Sequence, residues 1–245
     1  MTWRAVDAAL RRCYHEGVIR ALLAAAVLLA GCAGVGGGAF TDDFSGRTPG
    51  RCVRDGGPIG PWTVVSTGFG CVKVVEEGGQ RWLHANTLSS TTAPETHAFL
   101  VTGPKAVAPF TWSARVSTVE QNRAAAPNAW ESAWLVWGYR DRQHFYYLAT
   151  KPGGWELGKR DPAYRGGQRF LASGESPQFP PRTWGTVTVA QSKDDEISVW
   201  SDGKLLARFP DAERPYHAGK VGFYGEDCWA RFDDARLTAG VPDER

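Results

Sequence analysis

The densest concentration of chemically useful side chains runs from Asn128 to Lys159, NAWESAWLVWGYRDRQHFYYLATKPGGWELGK. It holds Trp130, Trp134, Trp137, Tyr139, Phe145, Tyr146, Tyr147 and Trp155, with Glu131, Asp141, His144, Glu156 and Asp161 among or beside them. Flat aromatic rings suit the apolar C–H faces of sugar rings, while polar neighbours bond the hydroxyls. Trp134, Trp137, Tyr139, His144, Tyr146 and Glu156 are therefore the candidate saccharide contacts. Glu131 and Glu156 are the candidate acid/base pair for hydrolysis, and His144 beside Tyr146 is a candidate for proton abstraction. Each has a plainer reading. The aromatics can fill a core, the carboxylates can face water, and the histidine can pack among rings.

These residues sit in short runs rich in Val, Thr, Trp, Tyr and Phe, split by Gly, Pro, Asn and Asp, which is the pattern of strands and turns. The runs are Trp62–Val65, Val72–Glu76, Arg81–Ala85, His97–Val101, Phe110–Val119, Ser132–Tyr139, Phe145–Lys151, Trp155–Lys159, Thr186–Gln191, Glu196–Trp200, Leu205–Phe209, Val221–Tyr224 and Ala230–Leu237. Successive side chains of a strand face opposite ways, so at most half of the aromatic set can face solvent. Trp134 and Val136 share one face, Leu135, Trp137 and Tyr139 the other. His144, Tyr146 and Leu148 oppose Phe145, Tyr147 and Ala149, and Trp155 and Leu157 oppose Glu156, Gly158 and Arg160. Asp202-Gly203 suits the positive φ angles of a tight hairpin turn. About a dozen strands without a repeat imply two packed antiparallel sheets or a barrel.

The N-terminus has a different character. Arg11, Arg12 and Arg20 precede the apolar run Ala21–Ala30, and Leu29-Ala30-Gly31-Cys32 follows. A basic region, a short apolar region and small residues before a cut are the marks of a secretory signal. Ten apolar residues are too few for a helix spanning a bilayer core, which takes roughly 20. Leu-Ala-Gly-Cys resembles the lipobox of bacterial lipoproteins. The resemblance implies cleavage before Cys32 and diacylglycerol on its thiol, with acyl chains such as palmitate holding the protein to the membrane. A start at Val18 would leave a more compact signal, without Asp7 and Glu16. The expected organisation is a signal peptide over 1–31, a lipidated cysteine and flexible tether over 32–39, one domain over 40–238 and a tail over 239–245.

Loss of residues 1–31 removes four arginines with Asp7 and Glu16, so 28 basic and 26 acidic side chains fall to 24 of each. No basic run survives, which argues against nucleic acid as a partner. Export would allow disulfides. Cys52 and Cys71 flank a Gly/Pro-rich loop and are the favoured pair, leaving Cys228 as a free thiol. There is no CxxC, HExxH or GxSxG spacing, and no Gly-rich phosphate loop.

Five segments in order carry a wider resemblance: Asp42-Asp43-Phe44, then Trp184-Gly185-Thr186-Val187-Thr188-Val189, Ile197-Ser198-Val199-Trp200-Ser201-Asp202-Gly203, Gly219-Lys220-Val221-Gly222-Phe223-Tyr224 and Phe232-Asp233-Asp234-Ala235-Arg236-Leu237. This order resembles the concanavalin A-like lectin/glucanase jelly rolls, in particular their laminin-G-like and 3-keto-disaccharide-hydrolase-like branches. The resemblance implies an all-β, two-sheet antiparallel jelly-roll sandwich with a saccharide site on a concave sheet. The Glu-x-Asp-x-x-Glu and Glu-x-Asp-x-Glu strands of the laminarinase-type glucanases have no counterpart here. The resemblance also implies a structural calcium ion where the chain ends meet, with Asp233 in the position of the glucanase ligand and Asp43 nearby. The expectation is an extracytoplasmic, lipid-anchored protein that binds an oligo- or polysaccharide. Its rivals are a glycoside hydrolase or polysaccharide lyase of the same fold, and an envelope or adhesion lipoprotein that binds protein.

Overall fold

The computed structural model describes residues 39–92, 95–123 and 126–242. The expected signal peptide, Cys32 as its expected lipidation site and most of the expected tether lie outside the described residues. Sixteen strands follow in order: β1 Phe40–Asp42, β2 Pro58–Ile59, β3 Trp62–Thr67, β4 Cys71–Glu77, β5 Gln80–Asn86, β6 Ala98–Val107, β7 Phe110–Gln121 and β8 Ala133–Asp141. Then come β9 His144–Lys151, β10 Gly154–Arg160, β11 Gln168–Gly174, β12 Gly185–Gln191, β13 Glu196–Ser201, β14 Lys204–Pro210, β15 Ala218–Glu226 and β16 Cys228–Ala239.

They form two sheets, each antiparallel throughout. One runs β14-β13-β12-β7-β16-β5-β4, with β1 beside the end of β16. The other runs β11-β10-β9-β8-β15-β6-β3-β2. Between them lies the core that period-2 alternation demands. Trp62, Trp112, Phe223 and Phe232 sit at its centre, all fully buried, with Phe223 and Phe232 stacked 4.4 Å apart. The hairpin joining β13 to β14 turns at Asp202 and Gly203, whose φ angles are +46° and +79° as a tight Asp-Gly turn requires. A disulfide joins Cys52 to Cys71, and Cys228 is a buried free thiol.

Three strands escape the sequence pattern. β1 and β2 are only three and two residues long. β11 is an edge strand whose residues are all half-buried or exposed, so Gln168–Gly174 shows no apolar alternation.

Two bulges reset which way side chains point. In β8 the register against β15 steps from Lys220↔Tyr139 to Gly222↔Val136, and Gly138 sits at φ +61°. The extra residue puts Tyr139 on the same face as Trp134, where strict alternation had put it with Leu135 and Trp137. In β16 the register against β7 steps from Asp233↔Arg115 to Arg236↔Ser113, with Asp234 at φ +50°. This step returns Ala235 and Leu237 to the core.

Candidate functional site

The second sheet carries a second apolar cluster on its outer face, away from the sandwich interior. Leu100, Trp134, Val136, Phe145, Tyr147 and Ala149 are buried there, with Val65, Tyr139 and Tyr224 packed against them. Trp134 is the hub, 4.6 Å from the Tyr147 ring and 4.9 Å from the Tyr224 ring. Its indole N–H donates to the Trp130 carbonyl at 2.9 Å. The rings expected to form an open shelf thus cover one another, and Trp134 is only 4% exposed.

Trp137 and Tyr146 correct the expectation outright. Both are wholly buried inside the sandwich, so neither is a surface stacking group. The Tyr146 hydroxyl donates to Asp211 Oδ2, which also receives Lys159 Nζ at 2.6 Å. Burial, reinforced by the Asp211 carboxylate, pushes the Tyr146 phenol far above its ordinary range. His144 is on the Tyr146 side of β9, bonded through Nδ1 to Asp141 at 2.8 Å and edge-on to Tyr216.

The catalytic candidates do not converge either. Glu131, just before β8, is wholly buried and holds Arg123 Nε at 2.6 Å and Asn128 Nδ2 at 2.8 Å. Desolvation raises its pKa, with buried Asp227 across the same guanidinium adding to the effect. Glu156 is on the outer face, but its oxygens take Lys151 Nζ and the Tyr147 hydroxyl, each at 3.0 Å. His144 starts β9, at the end of the β8–β9 hairpin opposite Glu131. No pair of these three shares a site, and each has a structural partner.

The outer face opens into a pocket of about 250 Å³ at the margin of the aromatic cluster. Phe145, Leu100 and Tyr224 supply its apolar surface; Arg142, Arg160, Glu226, Thr96 and Ser66 supply its polar groups. Arg160 lies at the end of β10, directly across from Phe145. Arg142 comes from the β8–β9 turn and reaches the Val65 carbonyl of β3 at 3.4 Å. Glu226, at the end of β15, accepts the Tyr224 hydroxyl at 2.5 Å and the Thr96 hydroxyl at 2.9 Å. Burial and the Glu226 charge raise the Tyr224 pKa, so this phenol stays a donor. Sequence reasoning missed Arg142, Glu226, Tyr224 and Thr96 as site residues. The one signal available was the outward position of Arg160 in the β10 alternation.

At the chain ends, β1 does pair with β16, bringing Asp42 and Asp43 near Asp233 and Asp234. Several of their oxygens are already engaged. Asp42 holds Arg47 and the Trp62 N–H, and Asp43 takes the backbone N–H and hydroxyl of Ser45. Arg115 lies 3.8 Å from Asp233 and 3.4 Å from Asp234. Among the described residues no three His, Cys, Asp or Glu side chains converge on a point where an ion could sit. Calcium takes six to eight oxygens, and this arrangement does not fit it; the countercharge near Asp233 is Arg115.

Two antiparallel sheets packed face to face, with a polar pocket on the outside of one, make this an all-β sandwich of the galectin-like and concanavalin A-like type. In fold it is similar to the carbohydrate-binding module CBM66 from Bacillus subtilis, with a TM-score of 0.54 at 11% identity over 73% of this chain and 96% of that one. It is also similar to a Bacillus subtilis protein of unknown function with a galectin-like fold, with a TM-score of 0.53 at 14% identity over 80% of this chain and all of that one. No family model and no curated protein matches the sequence.

Proposed function

We propose that this protein binds a saccharide in the pocket between Arg142, Phe145, Arg160 and Glu226, and that it does so outside the cytoplasmic membrane, tethered through lipid on Cys32. The pocket itself carries the reading. The half-buried ring of Tyr224, backed by buried Phe145 and Leu100, suits the C–H face of a sugar ring, and the guanidinium groups and carboxylate around it suit hydroxyls. Likeness in fold to a carbohydrate-binding module supports the same reading. The Cys52–Cys71 disulfide belongs to oxidising compartments and supports export.

A glycan array probed with the full chain in detergent tests the binding. Binding that is lost in Arg142→Ala, an exposed residue of the pocket, at unchanged melting temperature supports the proposal; an array without hits removes it. Metabolic labelling with a fatty acid tests the anchor, because Cys32→Ser should lose the label and leave the membrane fraction. A mutant that still labels would end the lipoprotein reading.

A further inference from the structure

We infer that the saccharide of this pocket is acidic, built from uronate units whose carboxylate is held by Arg142 and Arg160. This rests on the saccharide-binding reading and adds the charge of the ligand.

The inference comes from how the charges around the pocket are used. Glu226 is the acid in its lining, and its two oxygens are occupied by the hydroxyls of Tyr224 and Thr96. The other carboxylates nearby are also engaged, Glu156 by Lys151 and Tyr147 and Asp141 by His144. Neither guanidinium is answered by any of them. Arg142 makes one long bond to a backbone carbonyl, and the Arg160 guanidinium makes no hydrogen bond, ion pair or ring contact with a described residue. Arg160 is nevertheless half-buried, at the edge of an apolar cluster where an unmatched charge is costly. A chain with equal numbers of acids and bases after signal removal thus keeps a local positive excess in this outer pocket.

A guanidinium is a planar fork that matches a carboxylate with two parallel charge-assisted bonds. Half-buried Tyr224 packs on Phe145, which lies directly across from Arg160, so a pyranose ring against Tyr224 would bring an equatorial carboxylate within reach of the fork. Its hydroxyls would then turn toward Glu226, whose oxygens retain accepting capacity. A neutral sugar could use the ring surface and Glu226 but would leave both cations unanswered.

The decisive comparison uses short galacturonate, glucuronate and mannuronate oligosaccharides and their carboxyl-reduced forms, which keep ring and linkage and lose only the charge. Binding to the full chain in detergent is measured by calorimetry at low and high salt. At least one uronate series should bind, and reduction of its carboxyls should weaken binding roughly tenfold to a hundredfold, the worth of a charge-assisted bond. Salt should weaken the acidic form and spare the reduced one. Arg160→Gln and Arg142→Gln should each erase most of the difference between the two forms, with unchanged melting temperature. Should Arg160→Gln fail to fold, carboxyl reduction and exposed Arg142 still decide the matter. Equal binding of acidic and reduced forms, or binding of neutral glycans alone, overturns the charge assignment and leaves saccharide binding standing. Equal binding of dextran sulfate overturns it in favour of a general polyanion surface. Failure of every glycan, acidic or neutral, overturns both readings.

Discussion

Trp137 and Tyr146 stack across the β8–β9 pair inside the sandwich, ring centroids 5.5 Å apart and planes 20° from parallel. The contact joins the apolar core to a buried polar cluster, because the far end of Tyr146 bonds to Asp211, Asp211 to Lys159, and Lys159 to the carbonyls of Glu213 and Arg214. Rings that had the composition of a binding shelf instead fasten β9 and β10 to the 211–217 loop.

Truncation of Trp137 should therefore act on stability alone. Trp137→Ala should cost about 3–5 kcal/mol, as large-to-small changes in cores do. Thermal melting reads this directly. A variant that melts like the parent would place the ring outside the core.

The Lys159–Asp211 pair is wholly buried on both sides. Asp211→Ala leaves an ammonium in the interior without its counter-ion and should cost about 3–5 kcal/mol. Lys159→Met should cost less, because Asp211 keeps the Tyr146 hydroxyl and Arg169 at 3.3 Å. Urea midpoints of the two variants give the order, and the reverse order would contradict this account.

His84 should make the protein acid-sensitive. Burial, with Lys73 and Arg231 adding repulsion, lowers its pKa from 6.5 to about 4, and its neutral Nδ1 accepts the Trp229 N–H at 2.9 Å. The unfolded chain takes up a proton below about pH 6.5 that the folded one refuses until about pH 4. Stability from this group is present above pH 6.5 and falls toward pH 4, by roughly 3 kcal/mol at most. His84→Gln keeps an acceptor and should flatten that part of the profile; a variant with the parent's slope would assign it elsewhere.

Asp233 should act with the opposite sign. Burial first, and then Asp234, raises its pKa from 3.8 to about 6 despite Arg115. The folded state holds the proton more tightly, so this group favours folding below about pH 4 and loses that advantage as the pH rises to 6. Asp233→Asn should stabilise the protein at pH 7 by about 1 kcal/mol, after allowance for solvent screening. Calcium added at millimolar concentration to EDTA-treated protein should leave its melting temperature unmoved. A saturable rise that Asp233→Asn removes would restore the metal.

Much of this protein is legible in a single strand at a time. Alternation in Phe145–Lys151 and Trp155–Lys159 separated core from outer face, because the strand period is a property of the local backbone. The Asp202-Gly203 turn and the Cys52–Cys71 pairing were likewise near-neighbour features. The five ordered segments between Asp42 and Leu237 pointed to the two-sheet sandwich. Tyr139 was misplaced because one residue at Gly138 re-phases the strand, and whether a Gly is a bulge depends on the partner strand opposite it. The pocket was beyond reach for a stronger reason. Thr96 and Glu226 are 130 residues apart in the chain, and they meet Arg142 and Arg160 because β6, β15, β8, β9 and β10 lie side by side in one sheet. The sequence by itself determined which residues could be strands and which faces were apolar. Only the tertiary structure decided that the aromatic rings would bury one another and leave two arginines open, because sheet order and mutual burial follow from pairings between distant strands.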